Sequence, residues 1–188
     1  MNIIERIKGI LLKPQEEWQT IAGEKTPIAD LYKNYIIILA AIGPVASFIG
    51  LSVVGVSLPG VGSYKVPLVT GLLNAVVQYV LTLVGVYVLA FIIDALAPTF
   101  SGEKNIDQAF KLATYSYTPG WLVGIFMLIP TLGILVILGL YGLYLLYLGL
   151  PVLMKSPKEK SVGYTVAVII AAIIIFVVIG ASSRIFIH

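Results

Sequence analysis

The chain has 188 residues, of which 59% are apolar and only 11% charged, with a net charge of +3. Ordinary globular domains are roughly 45–50% apolar and about 25% charged, so this chain has too little charge to clothe a water-facing surface, and lipid is the expected solvent for much of it. The absence of cysteine excludes disulfides, thiol redox chemistry and thiolate metal sites. The basic excess forms no stripe interleaved with aromatic residues, so nucleic acid is not an expected partner.

Residues 1–33 hold much of the charge and form an N-terminal segment distinct from a membrane bundle over residues 34–183. Ile3, Ile4, Ile7, Ile10 and Leu11 share one face of a helix, with Arg6 and Lys8 expected away from its centre. Pro14 suits the first turn of a second helix, with Glu16 and Glu17 near its positive end and Trp18 and Ile21 on a common face. The pattern predicts two short amphipathic helices, lying either on the membrane surface or against the spans. No apolar core followed by a small-residue cleavage site occurs here, so no cleavable signal peptide is expected.

A span needs about 20 predominantly apolar residues. Charge is absent from residues 34–64, 66–93, 112–154 and 161–183, and the third stretch is long enough for two crossings. The expected architecture is an all-α membrane protein of five transmembrane helices, at residues 35–58, 68–96, 112–129, 132–154 and 162–181. Gly43-Pro44 should kink the first span, because proline removes a backbone donor. Pro59, Gly60, Gly62 and Pro67 mark the first loop, Pro98 to Lys104 the second, Pro130 to Gly133 a tight hairpin, and Lys155 to Lys160 the fourth loop. With five spans, ten of the twelve Lys and Arg residues fall on the side of the N-terminus. The positive-inside rule then places the N-terminus in the cytoplasm and the C-terminus outside.

No constellation resembles a catalytic site, a metal site or a cofactor loop. The only histidine is the last residue, His188. Within the second span Thr70, Asn74, Gln78 and Thr82 recur every four residues and so share a face. They either line a polar path or bond to other spans. Their expected neighbours are the Ser116–Thr118 region or the tyrosines of the fourth span, since amides facing hydrocarbon are costly. Asp94 is a boundary acid within an apolar stretch, a carboxylate expected to pair with Lys111 or another base, or to relay protons. Asp107 and Lys111 have the spacing of a surface ion pair. Gly120 and Gly124 form a small-xxx-small packing element. Tyr141, Tyr144 and Tyr147, with Gly139, Gly142 and Gly149, line a cavity or pack across the bundle.

Several segments resemble the Yip-one family of membrane proteins, named for interaction with Ypt/Rab GTPases, and its prokaryotic branch in particular. They are the opening segment Leu11 to Ile21 with Pro14 and Trp18; Asp30-Leu31-Tyr32; Tyr115-Ser116-Tyr117-Thr118-Pro119; and the run from Leu140 through Pro157. The resemblance covers nearly the whole chain and implies a five-span layout with a cytoplasmic N-terminus. Eukaryotic members continue Asp-Leu-Tyr with Gly-Pro; Lys33-Asn34 stands here instead, and the role of that motif is not carried over. The expected function is a non-enzymatic scaffold or adaptor with no cofactor, embedded in the bilayer and contacting a protein partner through its N-terminal segment, with oligomerisation open to it. The alternative is a small transporter or channel-like protein using the polar face of the second span.

Overall fold

A computed structural model describes residues 2–58 and 62–185; His188 lies outside these. Helix α1 spans Ile3–Leu12, with the Asn2 side chain capping its first turn by accepting from the Ile4 and Glu5 amides. Helix α2 spans Pro14–Gly23 with its proline at the first position. Helix α3 is a composite over Ile28–Val54. Its hydrogen-bond register loosens into π turns at Tyr32–Ile36 and Ile49–Val54, and it breaks at Ala41, just ahead of Pro44. The missing Pro44 amide leaves the Ala40 carbonyl without its helical donor. Gly55, at φ +86°, takes a left-handed conformation and ends the helix.

The first loop departs from the all-helical expectation. Strands β1 (Val56–Leu58) and β2 (Gly62–Tyr64) pair antiparallel, Val56 opposite Tyr64. Helix α4 (Leu68–Leu96) continues as a 3-10 turn to Phe100. At 1.5 Å per residue its 29 residues reach about 44 Å, beyond the thickness of hydrocarbon. Helix α5 (Ile106–Val123) is capped by Asn105 and followed by a 3-10 segment Gly124–Leu128. The extended residue Ile129 then starts helix α6 (Pro130–Leu153), whose first half is 3-10 and second half α-helical. Helix α7 is Ser161–Ile185.

Five crossing helices were expected; among the described residues, three are long and apolar enough by length and composition, namely α3, α4 with its extension, and α6. Helix α5 is less apolar than these three for a physical reason. It lies at the centre of the bundle, and every residue from Ala109 to Ser116 is buried, together with Thr118, Pro119 and Trp121. A helix enclosed by protein meets side chains rather than lipid, so it carries Lys111, Thr114, Ser116 and Thr118 where a lipid-facing helix could not.

Glycines set the closest approaches around α5. A Cβ on Gly124 would lie 2.8 Å from Gly43 Cα, and one on Gly139 would lie 3.1 Å from Gly120 Cα. The small-xxx-small element is therefore used for packing, against both α3 and α6. On Gly142 a Cβ would strike the Ser116 carbonyl, and on Gly149 it would strike Leu112 and come within 3.0 Å of the Trp18 ring. Gly149→Ala should loosen the seat of α2, costing about 1–3 kcal/mol by overpacking. Limited trypsin digestion in lipid should then cleave after Lys25 faster than in the parent chain, whereas Gly23→Ala, where a Cβ meets open space, should not change it.

Candidate functional site

The residues of the recognised motifs converge where α1 and α2 meet the bundle. Ile10, Trp18 and Ile21 are fully buried, so the amphipathic pair packs against the spans. Trp18 enters the notch left by Gly149 and meets the Tyr115 ring edge-on at 6.3 Å. Tyr115 in turn meets Tyr35 of α3 at 5.1 Å, and the Tyr35 hydroxyl bonds the Thr118 hydroxyl at 2.9 Å. Leu31 is buried and the Tyr32 hydroxyl donates to the Leu83 carbonyl at 2.8 Å, while Asp30 is exposed. Pro119 and Ser116 are buried on α5, and Pro14 is half-buried at the start of α2.

The ends of the N-terminal helices are tied down by the bundle. The last carbonyls of a helix lack intrahelical donors, and three side chains from the spans supply them. Tyr141 donates to the Leu11 carbonyl at 3.0 Å, Gln108 to Ala22 at 3.0 Å, and Lys111 to Ile21 at 3.2 Å and also to Glu24. Lys111 is thus a buried cation at the negative end of α2, where a surface pair with Asp107 or a partner for Asp94 was expected. The desolvated ammonium takes the carbonyls because they lie within its reach inside the bundle. Asp94 forms no ion pair among the described residues, and its Oδ1 is buried without a hydrogen-bond partner.

Arg6 corrects a second expectation. It is 6% exposed, paired with Glu17 and Glu24, and lies over the Tyr115 ring at 5.5 Å. Three residues after Ile3 and four before Ile10, it belongs to the buried face, and that spacing was the available signal. Burial disfavours its charge, but the Glu24 hydrogen bond and the electrostatics of Tyr115, Glu24 and Glu17 outweigh this and hold its pKa above the ordinary value.

The polar stripe of α4 is not turned toward Ser116–Thr118 or the α6 tyrosines. Thr70, Asn74 and Gln78 are exposed, and Thr82 is half-buried, its hydroxyl donating to the Gln78 carbonyl at 2.8 Å. Asn74 and Gln78 instead border a shallow crevice toward α3, beside Ser47 and Ser52. The reason lies in α4 itself: apart from Gly71, its buried residues begin at Gly85, so its first half stands at the edge of the bundle. Of the α6 tyrosines, Tyr141 serves α1, while Tyr144 and Tyr147 are exposed. A mainly apolar cavity of about 240 Å³ between α5, α6 and α7 is bordered by Ser116 and Tyr117.

Long apolar helices around a polar central helix, closed at one end by two docked amphipathic helices, define an integral α-helical membrane protein. The chain belongs to the Yip1 domain family, whose model matches residues 8–179. It is 27% identical over 182 residues to the inner membrane protein YohC of Escherichia coli K12, covering 95% of this chain and 93% of that protein. YohC of Escherichia coli O6:H1 matches to the same extent. No solved structure matches.

Arg6→Ala would leave Glu17 and Glu24 without their shared cation. Because both acids keep some contact with water, the expected loss is about 2 kcal/mol, below that of a fully buried pair. Amide exchange over residues 3–23 should accelerate, and Arg6→Lys should recover only part of the protection because an ammonium cannot span both carboxylates in a planar fork.

Proposed function

We propose that the protein is a non-enzymatic membrane scaffold that crosses the inner membrane five times, with its N-terminus in the cytoplasm, and assembles with a second copy through α4. The observation that carries this reading is the exposure of Asn74 and Gln78 at the mouth of the crevice beside α3, on the half of α4 that buries only Gly71. Neither carboxamide is hydrogen-bonded to the described residues. Amide groups in hydrocarbon are costly until they find partners, and an equivalent face on a second copy offers donors and acceptors together. A transport path would need the same groups to face a lumen between spans, and their position at the bundle edge favours assembly over conduction.

The five crossings rest on α5 and α7 in addition to the three apolar helices. Helix α5, with 18 residues, reaches about 27 Å before its 3-10 extension, and α7, with 25, about 37 Å. Both suffice for hydrocarbon of about 30 Å when the extension is included. The charge asymmetry supports the orientation, and the inner-membrane relatives support the location. The docked α1–α2 pair leaves its charged face toward the cytoplasm as the surface for a protein partner.

Two measurements test this. Single cysteines can be introduced cleanly, because the chain has none. Membrane-impermeant labelling should find positions in residues 1–30, 98–108 and 155–160 on the cytoplasmic side and the C-terminus outside; a cytoplasmic C-terminus would refute the five-span count. A cysteine at Val77, between the two amides, should cross-link pairs of chains in native membranes, and Asn74→Leu with Gln78→Leu should lower the yield about fivefold or more, as expected from two bonds of about 0.6 kcal/mol or more on each chain. Undiminished cross-linking in the double variant, or solute flux in vesicles that the variant abolishes while staying folded, would count against the scaffold reading.

A further inference from the structure

The groove between α2, the end of α6 and the start of α7 has the composition of a lipid headgroup site. It encloses about 370 Å³. Its rim carries the amides of Gln15 and Gln19, one turn apart on α2, and the ammonium-bearing Lys158; among the described residues no carboxylate lines it. Its wall is the apolar stretch of α6 between Tyr147 and Val152. The groove therefore passes from charged to apolar at the point where the loop lysines meet the spans, which is the gradient presented by one phospholipid.

Three further observations point to an anion. Of the three loop lysines, Lys155 is bound to Glu103 at 2.6 Å and Lys160 donates to the Ser101 hydroxyl at 2.7 Å. Lys158 is exposed and has no such partner among the described residues. Ser161, which lines the groove, is 1% exposed, and its hydroxyl is buried without a hydrogen-bond partner. The 25-residue helix α7 is entered through a 3-10 turn at Lys158–Lys160, whose cap residue Pro157 supplies no side-chain hydrogen bond. The Lys160 amide donates to the Pro157 carbonyl and the Ser161 amide to the Lys158 carbonyl, so the groups left for an anion at this end are the Lys158 and Glu159 amides and the positive end of the helix dipole.

We propose that this groove binds the phosphate of an anionic phospholipid, with Lys158, Ser161 and the open amides on the phosphate, Gln15 and Gln19 on the headgroup hydroxyls, and the first acyl carbons along α6. The amphipathic rim selects a phosphate attached to hydrocarbon over a free one. Because two of its groups come from α2, the bound lipid also fastens the N-terminal pair to the spans.

The test is native mass spectrometry of the full chain released from nanodiscs containing phosphatidylglycerol and phosphatidylcholine. Phosphatidylglycerol should be retained in preference. Lys158→Gln should lower its retention about tenfold, the equivalent of one charge-assisted hydrogen bond, and leave phosphatidylcholine retention unchanged. Ser161→Ala should lower it by a smaller factor, with circular dichroism reporting that both variants stay helical. Equal retention of the two lipids by the parent chain, or no loss in Lys158→Gln, would overturn the proposal. Displacement of phosphatidylglycerol by sn-glycerol 3-phosphate at equal concentration would overturn the lipid source and assign the groove to soluble phosphate esters.

Discussion

The packing of Trp18 into the notch at Gly149 is the contact on which the closed end of the bundle depends. It brings α2 against α6 and places Trp18 on Tyr115, the residue through which α5 reaches α3. Once α2 is seated, its final carbonyls come within reach of Gln108 and Lys111, and α1 follows because Arg6 is paired to two acids beyond it, Glu17 and Glu24. A bulky side chain at position 149 would separate these groups together. The ion pairs and caps depend on the packing more than the packing depends on them, since buried charges gain little unless their geometry is already held.

Lipid on one side and protein on the other divide the chain's polar residues in two. Those on α5 from Lys111 to Thr118 are largely enclosed, and Lys111 and Thr118 are bonded across the bundle, to Ile21 and Tyr35. Tyrosines form other ties: Tyr32 and Tyr79 reach carbonyls on the helix opposite, Leu83 and Ile37 respectively. A tyrosine serves well here because its ring is apolar and its hydroxyl needs only one partner. The central helix thus gives up apolarity for cross-links, which is why composition alone ranks it below the helices around it.

Helical segments, their breaks and the family were legible in the sequence, because hydrophobic runs, prolines and short motifs are local signals. The burial of Arg6 was missed: its charge argued for a place away from the centre of the apolar face, although its spacing from Ile3 and Ile10 puts it there. The place of Lys111 was not legible. Its acceptors are main-chain carbonyls of a helix some ninety residues away, and no side-chain pattern announces a carbonyl. The α4 stripe shows the limit of periodicity most clearly. Four-residue spacing establishes that Asn74 and Gln78 share a face, but which neighbour that face meets depends on how the whole helix leans. Here the first half of α4 buries only Gly71, and its other buried residues begin at Gly85.

That lean gives the proposed assembly its chemistry. Val69, at 72% exposed, and Leu73, at 61%, stand on the free half of α4 as lipid-facing residues should, so the carboxamides alone require something other than acyl chains. Copies inserted in the same orientation are related by a two-fold axis along the membrane normal, and such an axis sets each residue near its own equivalent at equal depth. A group at that position must therefore be complementary to itself. An Asp or Lys would meet a like charge, and a leucine would gain no more from its equivalent than from lipid. A carboxamide, with two donors and an acceptor on one planar group, can bond its own copy in both directions. Asn74 and Gln78, one turn apart, would then fix the register of the two helices as well as their association.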